Sequence, residues 1–263
     1  MDLGLKGKRA LVIGASRGLG YAVANTLAAE GCRVAINSRS TKKLTASAKE
    51  IAEANDIPVL ALPADIGDAD APADLIAKTI SALGGLDLLV TNAGGPPPGA
   101  FESFSDEDWA KGIDLSLMSH VRLIKAALPH LRESDSASVL TITSYSVKQP
   151  IPNLVLSNSI RAATVGLTKT LALELGNDGI RFNSILPGWT KTERVTELLT
   201  ARAQANDTSL SEELSKQMED CPLGRMAEPQ EFANPAVFLL SPAASYITGV
   251  MLTVDGGMYK GTL

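Results

Sequence analysis

The feature that most constrains this chain is the regular alternation of short aliphatic runs with longer segments of helical periodicity. Such runs are typical of strands buried on both faces of a parallel sheet. The runs are 9–13, 33–37, 59–62, 86–90, 138–143, 180–186 and 250–254. The helical patterns between them are 19–30, 42–54, 71–83, 106–131, 156–175 and 229–240. Because strand–helix–strand units place helices on both faces of a sheet, this order predicts an α/β, single-domain Rossmann fold over residues 1–263, with a doubly wound seven-stranded parallel sheet.

The composition excludes several other classes of protein. The apolar fraction is 45% and the charged fraction 20%, which are ordinary values for a globular domain. A formal net charge of −5 without a basic tract argues against nucleic acid and anionic membrane partners. No apolar run approaches the roughly 20 residues that span a bilayer. Cys32 and Cys221 lack metal-ligand spacing, and with no visible secretion signal they predict free thiols in a cytoplasmic protein without a metal site.

The turn after the first predicted strand has the chemistry of a phosphate-binding loop. Its sequence is Gly14-Ala15-Ser16-Arg17-Gly18-Leu19-Gly20, which we call the glycine loop. Glycines permit a tight turn and a close backbone approach, and the following helix points its N-terminus at the phosphates. A glycine-rich turn without a ligand is the alternative, but the position between a strand and a helix favours a dinucleotide. The residues predicted to hold it are Gly14, Ser16, Arg17, Gly18, Leu19 and Gly20.

The end of the second predicted strand indicates which dinucleotide binds. NAD sites present an acidic residue here to the ribose hydroxyls, whereas NADP sites replace it and add arginine. Ser38 occupies the position of the acid, Arg39 follows it, and Arg17 supplies a second cation. An arginine fork suits a phosphate group. We therefore predict that NADP(H) is preferred over NAD(H), the alternative being that both arginines are solvated surface residues.

Two segments outside the alternation are expected beside the site. A triple proline at 96–98, flanked by glycines, predicts a stiffened loop directly after the fourth strand. Residues 192–221 form a polar, helix-prone insertion, which we call the lid. Ligands of such sheets bind beyond the carboxyl ends of the strands. The proline loop is therefore expected to rim the site and the lid to lie over it.

Further motifs follow in a fixed order along the rest of the chain. They are Ala64-Asp65-Ile66, Thr91-Asn92-Ala93-Gly94, Gly166-Leu167-Thr168-Lys169, Asn183, Pro187-Gly188, Thr192, Pro222-Leu223-Gly224-Arg225 and Val254-Asp255-Gly256-Gly257. With the glycine loop, this set resembles the short-chain dehydrogenase/reductase family over nearly the whole chain, and is most similar to its 3-oxoacyl-carrier-protein reductases.

The resemblance implies roles for three groups of residues around the cofactor. Asp65 and Ile66 are expected to flank the adenine. Asn92, Ala93 and Gly94 are expected to support the adenosine ribose and the central strands. The nicotinamide carboxamide is expected to meet Pro187, Gly188 and Thr192. Each group also has a purely structural interpretation, as a staple between loops or as a bare turn.

The catalytic positions depart from the family pattern. The resemblance implies an Asn, Ser, Tyr and Lys set, in which the tyrosine precedes the lysine by one turn on the same helix face. Alignment of this helix places Ser157 at the tyrosine position and Arg161 at the lysine position. Counting from Trp109 places Ser116 at the asparagine position, and Ser144 retains the serine. Three of the four residues have therefore changed.

These changes weaken acid catalysis. A phenol has a pKa near 10 and is a usable proton donor, whereas the alcohol of Ser157 is a far weaker acid on a shorter side chain. Arg161 can bond the nicotinamide ribose and supply charge, but it does not release a proton. Losing a positioned general acid costs about 10²–10⁴-fold in rate. Tyr145 is a candidate surrogate acid if the chain turns after Ser144, and it points to the opposite face if the strand continues.

Three functions remain open from the sequence. The first is an NADP(H)-dependent oxidoreductase of a carbonyl/alcohol pair that acts on a small-molecule carbonyl or acyl substrate. The second is a catalytically weak or inactive NADP(H)-binding pseudoenzyme or sensor, and the third is an enzyme whose substrate supplies its own proton or needs none. The retained Ser144 favours the first.

Apolar residues in 106–131 and 156–175, with the resemblance, imply a homotetramer or homodimer. His120 and His130 are expected at an interface or on the surface.

Overall fold

The structure is a computed structural model in which residues 1–262 are described, and its centre is a seven-stranded parallel sheet. The strands are β1 (Arg9–Ile13), β2 (Arg33–Ser38), β3 (Val59–Pro63), β4 (Leu88–Asn92), β5 (Ser138–Ile142), β6 (Arg181–Pro187) and β7 (Met251–Val254). Their order is β3-β2-β1-β4-β5-β6-β7, with every neighbouring pair parallel. The strand order reverses between β1 and β4, which is where such sheets bind ligands. The predicted Rossmann fold is confirmed.

Helices cover both faces of this sheet. They are α1 (Gly18–Ala29), α2 (Thr41–Asn55), α3 (Ala71–Leu83), α4 (Asp106–Ile113), α5 (Ser119–Leu131), α6 (Val155–Glu174), α7 (Glu193–Asn206), α8 (Leu210–Glu219) and α9 (Pro229–Leu240). One buried aliphatic core joins the sheet to α1, α2 and α9, and the other joins it to α3, α5 and α6. These cores hold the carboxyl ends of the central strands in fixed positions.

Two predicted elements differ from the structure by more than a one-residue shift of an end. The segment 106–131 is helical throughout, as predicted, but it is not a uniform α-helix, because a π-helical turn (Asp114–Met118) lies between α4 and α5. In that turn the Ser119 N–H donates to the carbonyl of Asp114, five residues back, which widens the helix. The fourth strand begins at Leu88 rather than at residue 86, and Asp87, directly before it, binds Arg9 through its carboxylate.

The lid folds into α7 and α8, which pack against each other. Thr192 caps α7, its hydroxyl accepting from the Val195 N–H at 3.3 Å. Beneath the lid lies a third apolar cluster, which comprises Tyr145, Leu186, Trp189, Leu199, Cys221, Met226 and Met258. Within residues 1–262, no helix combines the length and apolarity that crossing a bilayer requires.

The ion pair between Arg9 and Asp87 predicts a defined acid sensitivity. Asp87 accepts from the Arg9 backbone and guanidinium at 2.7–2.9 Å and from Ser134 at 2.6 Å. Burial alone would raise the pKa of Asp87, but these hydrogen bonds outweigh it and lower the pKa to about 2. A carboxyl group with a lower pKa in the folded state stabilises the fold at pH values above its unfolded-state pKa, which is near 4. This stabilisation is lost as the pH falls through the folded-state pKa.

We expect Asp87→Asn to lower the free energy of unfolding by about 2 kcal/mol at pH 7. The difference between wild type and variant is expected to close as the pH falls from about 4 to about 2. Urea denaturation of both proteins across this range measures it. A difference that stays constant down to pH 2 would contradict the assignment.

Candidate active site

The glycine loop has the backbone geometry that a pyrophosphate requires. Gly14 and Gly18 have φ of +68° and +61°, a region that side chains disfavour. A Cβ on Gly20 would lie 2.5 Å from the Gly14 carbonyl oxygen, so only glycine lets α1 begin this close to the end of β1. The Ser47 hydroxyl donates to the Ser16 carbonyl at 2.9 Å and anchors the loop to α2. The loop therefore fits a phosphate-bearing cofactor at the N-terminus of α1.

The end of β2 presents a hydroxyl and a cation toward the adenosine side. The Ser38 hydroxyl is buried and has no hydrogen-bond partner within residues 1–262. Arg39 is 77% exposed, with its guanidinium 4.0 Å from the Asp65 carboxylate. Ile66, next to Asp65, is buried, whereas the Asp65 carboxylate accepts from the Gly67 N–H at 3.0 Å. An unpartnered hydroxyl beside an exposed arginine fits a ribose that carries a 2′-phosphate.

Arg17 has partners that the sequence analysis missed. Its guanidinium pairs with Glu193 and with Glu197, the latter at 3.3 Å, and both carboxylates belong to the first turns of α7. The lid meets the glycine loop here, since the Thr192 methyl group lies 3.4 Å from the position of a Cβ on Gly18. An exposed pair of this kind contributes little stability, so Arg17 remains available to a phosphate.

Other predicted cofactor residues lie at the carboxyl ends of β4 and β6. The Asn92 amide lies 2.7 Å from where a Cβ of Gly14 would be, so Asn92 packs against the glycine loop. Pro187 is the last residue of β6, and Gly188 follows it. A Cβ on Gly188 would lie 2.6 Å from the Asp255 Cα, so this turn packs closely on the segment after β7.

Ser144 and the guanidinium of Arg161 both lie at the carboxyl ends of the central strands β4 and β5. The Ser144 oxygen accepts from the Ser146 N–H at 3.1 Å, which leaves its own O–H group to donate. The Arg161 guanidinium donates to the carbonyls of Thr143 at 3.2 Å, Ile142 at 3.5 Å and Ala93 at 3.3 Å. Arg161 thus ties the two strand ends together, and one of its partners, Thr143, directly precedes Ser144.

Ser116 and Ser157 flank this arrangement. Ser116 lies in the π-helical turn, is buried, and donates to the Gly94 carbonyl at 3.5 Å, while its own carbonyl accepts from Thr164 at 2.7 Å. Ser157 is half-buried on α6, one turn before Arg161 and on the same helix face. The predicted catalytic positions thus lie at the same edge of the sheet.

The charge of Arg161 is buried without a counter-ion. Of residues 1–262, none supplies a carboxylate to it. Burial, followed by the charge of Arg194, lowers the pKa of Arg161 to about 10, so the guanidinium stays charged at neutral pH.

His120 is 2% exposed, which contradicts the expected surface position, because its helix turns it toward the sheet. Burial and then the charge of Arg161 lower the pKa of His120 to about 3, so its imidazole is neutral.

The chain turns directly after Ser144, so the condition set for Tyr145 as a surrogate acid is met. Tyr145 begins a short 3-10 helix (Tyr145–Val147), and its ring packs with Leu186 and Trp189 beneath the lid. Burial raises the pKa of Tyr145 above its ordinary value. Tyr145 is therefore protonated at neutral pH, and its catalytic role stays a prediction.

The proline loop is tied to the start of α6. The Gly99 N–H donates to the Asn153 carbonyl at 2.7 Å, and Gly99 forms a β-bridge with Leu154. A Cβ on Gly95 would lie 3.7 Å from the Arg161 guanidinium. The loop thus passes beside Arg161 and ends next to the helix that carries Ser157, as expected of a rim.

Comparisons with known proteins agree with this geometry. A family model described as "Enoyl-(Acyl carrier protein) reductase" matches residues 14–259. A 3-oxoacyl-[acyl-carrier-protein] reductase of Staphylococcus aureus is 34% identical over 253 residues, covering 96% of this chain and 98% of that protein. The 7alpha-hydroxysteroid dehydrogenase of Escherichia coli K12 is 31% identical, and the match covers 97% of this chain and 96% of that protein. L-sorbose reductase from Gluconobacter frateurii, solved with NADPH and L-sorbose, superposes with a TM-score of 0.95 at 31% identity. The match covers 99% of this chain and 100% of that protein.

The chain belongs to the short-chain dehydrogenase/reductase family and is most like its 3-oxoacyl-carrier-protein reductases. Its relatives are oxidoreductases, and it is an oxidoreductase of the same family. Similar structures solved with NADPH or NADH support a nicotinamide cofactor.

Proposed function

We propose that the chain is an NADP(H)-dependent oxidoreductase that interconverts a carbonyl and an alcohol on a small-molecule carbonyl or acyl substrate. The observation that carries this proposal is that Ser144 keeps an O–H group to donate and directly follows Thr143, whose carbonyl accepts from the buried Arg161 guanidinium at the ligand-binding edge of the sheet. The residues proposed to hold the cofactor are Gly14, Ser16, Arg17, Gly18, Leu19, Gly20, Ser38, Arg39, Asp65, Ile66, Asn92, Ala93, Gly94, Arg161, Pro187, Gly188 and Thr192.

The chain's own groups set the chemistry around the substrate carbonyl. NADPH, when bound, supplies the hydride. Ser144 donates a hydrogen bond to the carbonyl oxygen as it gains negative charge. Arg161 supplies a fixed positive charge and does not exchange a proton. Since the Ser157 alcohol is too weak an acid, the proton comes from Tyr145, from water or from the substrate itself.

A second function is favoured by two features of the site. The donors of Arg161 are engaged by backbone carbonyls, and no phenol stands at position 157. Both features are expected in a protein that binds NADP(H) and turns over slowly or not at all.

Two measurements together separate these functions: NADPH binding by fluorescence titration and NADPH oxidation over a panel of activated ketones and 3-oxoacyl thioesters. We expect binding, and oxidation with at least one member of the panel. Ser144→Ala is expected to remove the oxidation and retain binding, whereas Ser146→Ala, two residues away, leaves both intact. Binding with no oxidation across the panel would support the second function instead.

The proposed preference for NADP(H) depends on Ser38, Arg39 and Arg17. A charged hydrogen bond to the 2′-phosphate contributes about 1.5–3 kcal/mol. We therefore expect Arg39→Ala to reduce the NADP(H)-over-NAD(H) preference by roughly tenfold or more. Calorimetric titration of both cofactors measures this, with Lys49→Ala on α2 as an exposed control. Equal or tighter NAD(H) binding by wild type, or an unchanged preference in Arg39→Ala, would contradict the prediction.

We further propose a homotetramer or homodimer that uses the outer faces of α4 to α6. Leu173 on α6 is 74% exposed and Ile113 on α4 is 39% exposed, and both are apolar. Light scattering at micromolar concentration tests this, and a clean monomer would contradict it.

A cytoplasmic location stays a prediction, with which the two buried free thiols agree.

A further inference from the structure

The segment that follows β7, residues 255–260, has a defined fold, and we call it the strap. Its first residue fixes its shape, because the Asp255 carboxylate accepts from the Gly257 N–H at 3.0 Å and from the Tyr259 N–H at 2.8 Å. Met258 is 4% exposed and belongs to the apolar cluster beneath the lid. The strap is therefore anchored both by its own hydrogen bonds and by apolar packing.

The strap binds the C-terminal end of the lid. The Lys260 ammonium donates to the Asp220 carboxylate at 2.8 Å. The Gly256 carbonyl accepts from the Leu223 N–H at 3.3 Å. A Cβ on Gly256 would lie 2.8 Å from the Cys221 sulfur, so the backbone of the strap packs directly on the lid. The end of the lid therefore cannot move away without breaking contacts with the strap.

A short turn directly after β5 carries Ser144. It comprises residues 144–149, and we call it the β5 turn. Its backbone closes on itself, because the Tyr145 carbonyl accepts from the N–H groups of Lys148 at 2.9 Å and Gln149 at 3.2 Å. Ser144 is the first residue of this turn, so a shift of the turn changes where its O–H group points.

The strap also binds the β5 turn. The Gln149 side-chain oxygen accepts from the backbone N–H of Lys260 at 3.2 Å. The Lys148 ammonium lies 5.0 Å from the centroid of the Tyr259 ring, within the range of a cation–π attraction. Lys260 thus contacts both elements, the β5 turn through its backbone N–H and Asp220 of the lid through its ammonium.

We propose that the strap couples the position of the lid to the β5 turn, with Lys260 and Gln149 as positioning residues for Ser144. When the end of the lid moves, Asp220 carries Lys260 with it, and Gln149 loses its donor. A substrate that closes the lid therefore also fixes the turn from which Ser144 donates. The part of this inference that concerns Ser144 rests on the proposed function.

Hydrogen exchange of the full chain, followed by NMR, tests the coupling in both directions. Lys260→Gln removes the charge that bonds the lid and keeps the backbone N–H that bonds Gln149. Exchange at Lys148 and Gln149 is nevertheless expected to become about two- to fivefold faster, the range that the loss of one exposed ion pair supports. Because coupling is reciprocal, Gln149→Ala is expected to accelerate exchange at Cys221 and Leu223 in the same range.

The matched control is Lys78→Gln on α3, which removes an ammonium from an exposed ion pair with Asp74 at 2.6 Å. We expect it to leave exchange unchanged at both ends of the strap. The coupling would be overturned if Lys260→Gln accelerated only the end of the lid, or if Gln149→Ala accelerated only the β5 turn. A uniform acceleration across the sheet would also overturn it, since that is a loss of global stability.

Steady-state NADPH oxidation tests the consequence for Ser144. Both variants are expected to lower kcat by about two- to fivefold and to change the dissociation constant of NADPH by less than about twofold. The double variant is expected to be no slower than the slower single variant, because both break the same coupling. Unchanged kcat values alongside faster exchange at both ends would overturn the role in positioning Ser144. If the wild type oxidises NADPH with no substrate, the proposed function fails, and the exchange rates still decide the coupling.

Discussion

The double substitution Ser157→Tyr with Arg161→Lys is expected to raise the turnover of simple activated ketones by at least about tenfold. The two positions lie one turn apart on α6, and Arg161 bonds the carbonyl of Thr143, the residue before Ser144. A phenol and an ammonium at this spacing restore a general acid and a cation that can tune it. The expected gain is a modest part of the 10²–10⁴-fold that a positioned general acid contributes. Steady-state NADPH oxidation measures the change.

The single variants separate the two contributions. Arg161→Lys alone is expected to do little for the rate, because the ammonium has no phenol to tune. Ser157→Tyr alone is expected to give a partial gain, with its optimum shifted to the pH that a less acidic phenol requires. A folded double variant that binds NADPH and shows no gain would contradict the assignment of Ser157 to the tyrosine position.

Tyr145→Phe separates the two sources of the native proton. The substitution removes one hydroxyl from a buried ring and leaves its packing with Leu186 and Trp189 in place. If Tyr145 is the surrogate acid, native activity is abolished. If Ser144 and water suffice, activity is unchanged.

The parts of this molecule that the sequence predicted are those with local signals. Each strand is an aliphatic run bounded by polar residues, so the sheet could be read directly from the alternation. The glycine loop could be found from the sequence because three of its residues have to be glycine. The backbone that requires this lies within the loop itself and in the strand before it. Ser144 was predicted through the family resemblance, and its cap on Tyr145–Val147 is a local contact.

The parts that the sequence missed depend on contacts between distant residues. Arg17 and Glu193 are 176 positions apart, and neither residue alone indicates the other. Arg161 bonds the Ala93 carbonyl across 68 positions, so its backbone partners could not be predicted from the motif on α6. The π-helical turn spans only five residues and leaves the segment helical on both sides, so the hydrophobic pattern of 106–131 still indicated a single helix.

Gly20→Ala is expected to weaken NADPH binding by at least about tenfold and to lower the free energy of unfolding by about 1–3 kcal/mol. The added Cβ would lie 2.5 Å from the Gly14 carbonyl oxygen and 3.1 Å from that of Ile13. Both neighbours are backbone atoms, so the new methyl group can be accommodated only if the glycine loop moves. Such a movement displaces the N–H groups that a pyrophosphate requires.

The matched control is Gly166→Ala on α6, where a Cβ meets nothing within 4 Å. Because alanine is the better helix former, this variant is expected to gain up to about 1 kcal/mol in stability and to bind NADPH as wild type does. Urea denaturation and fluorescence titration of both variants give the two quantities separately. If Gly20→Ala loses stability and keeps its NADPH affinity, then the glycine is needed only for packing, and the loop is a turn that holds no phosphate. If both quantities fall together, the backbone that closes the fold at the end of β1 is also the backbone that holds the cofactor.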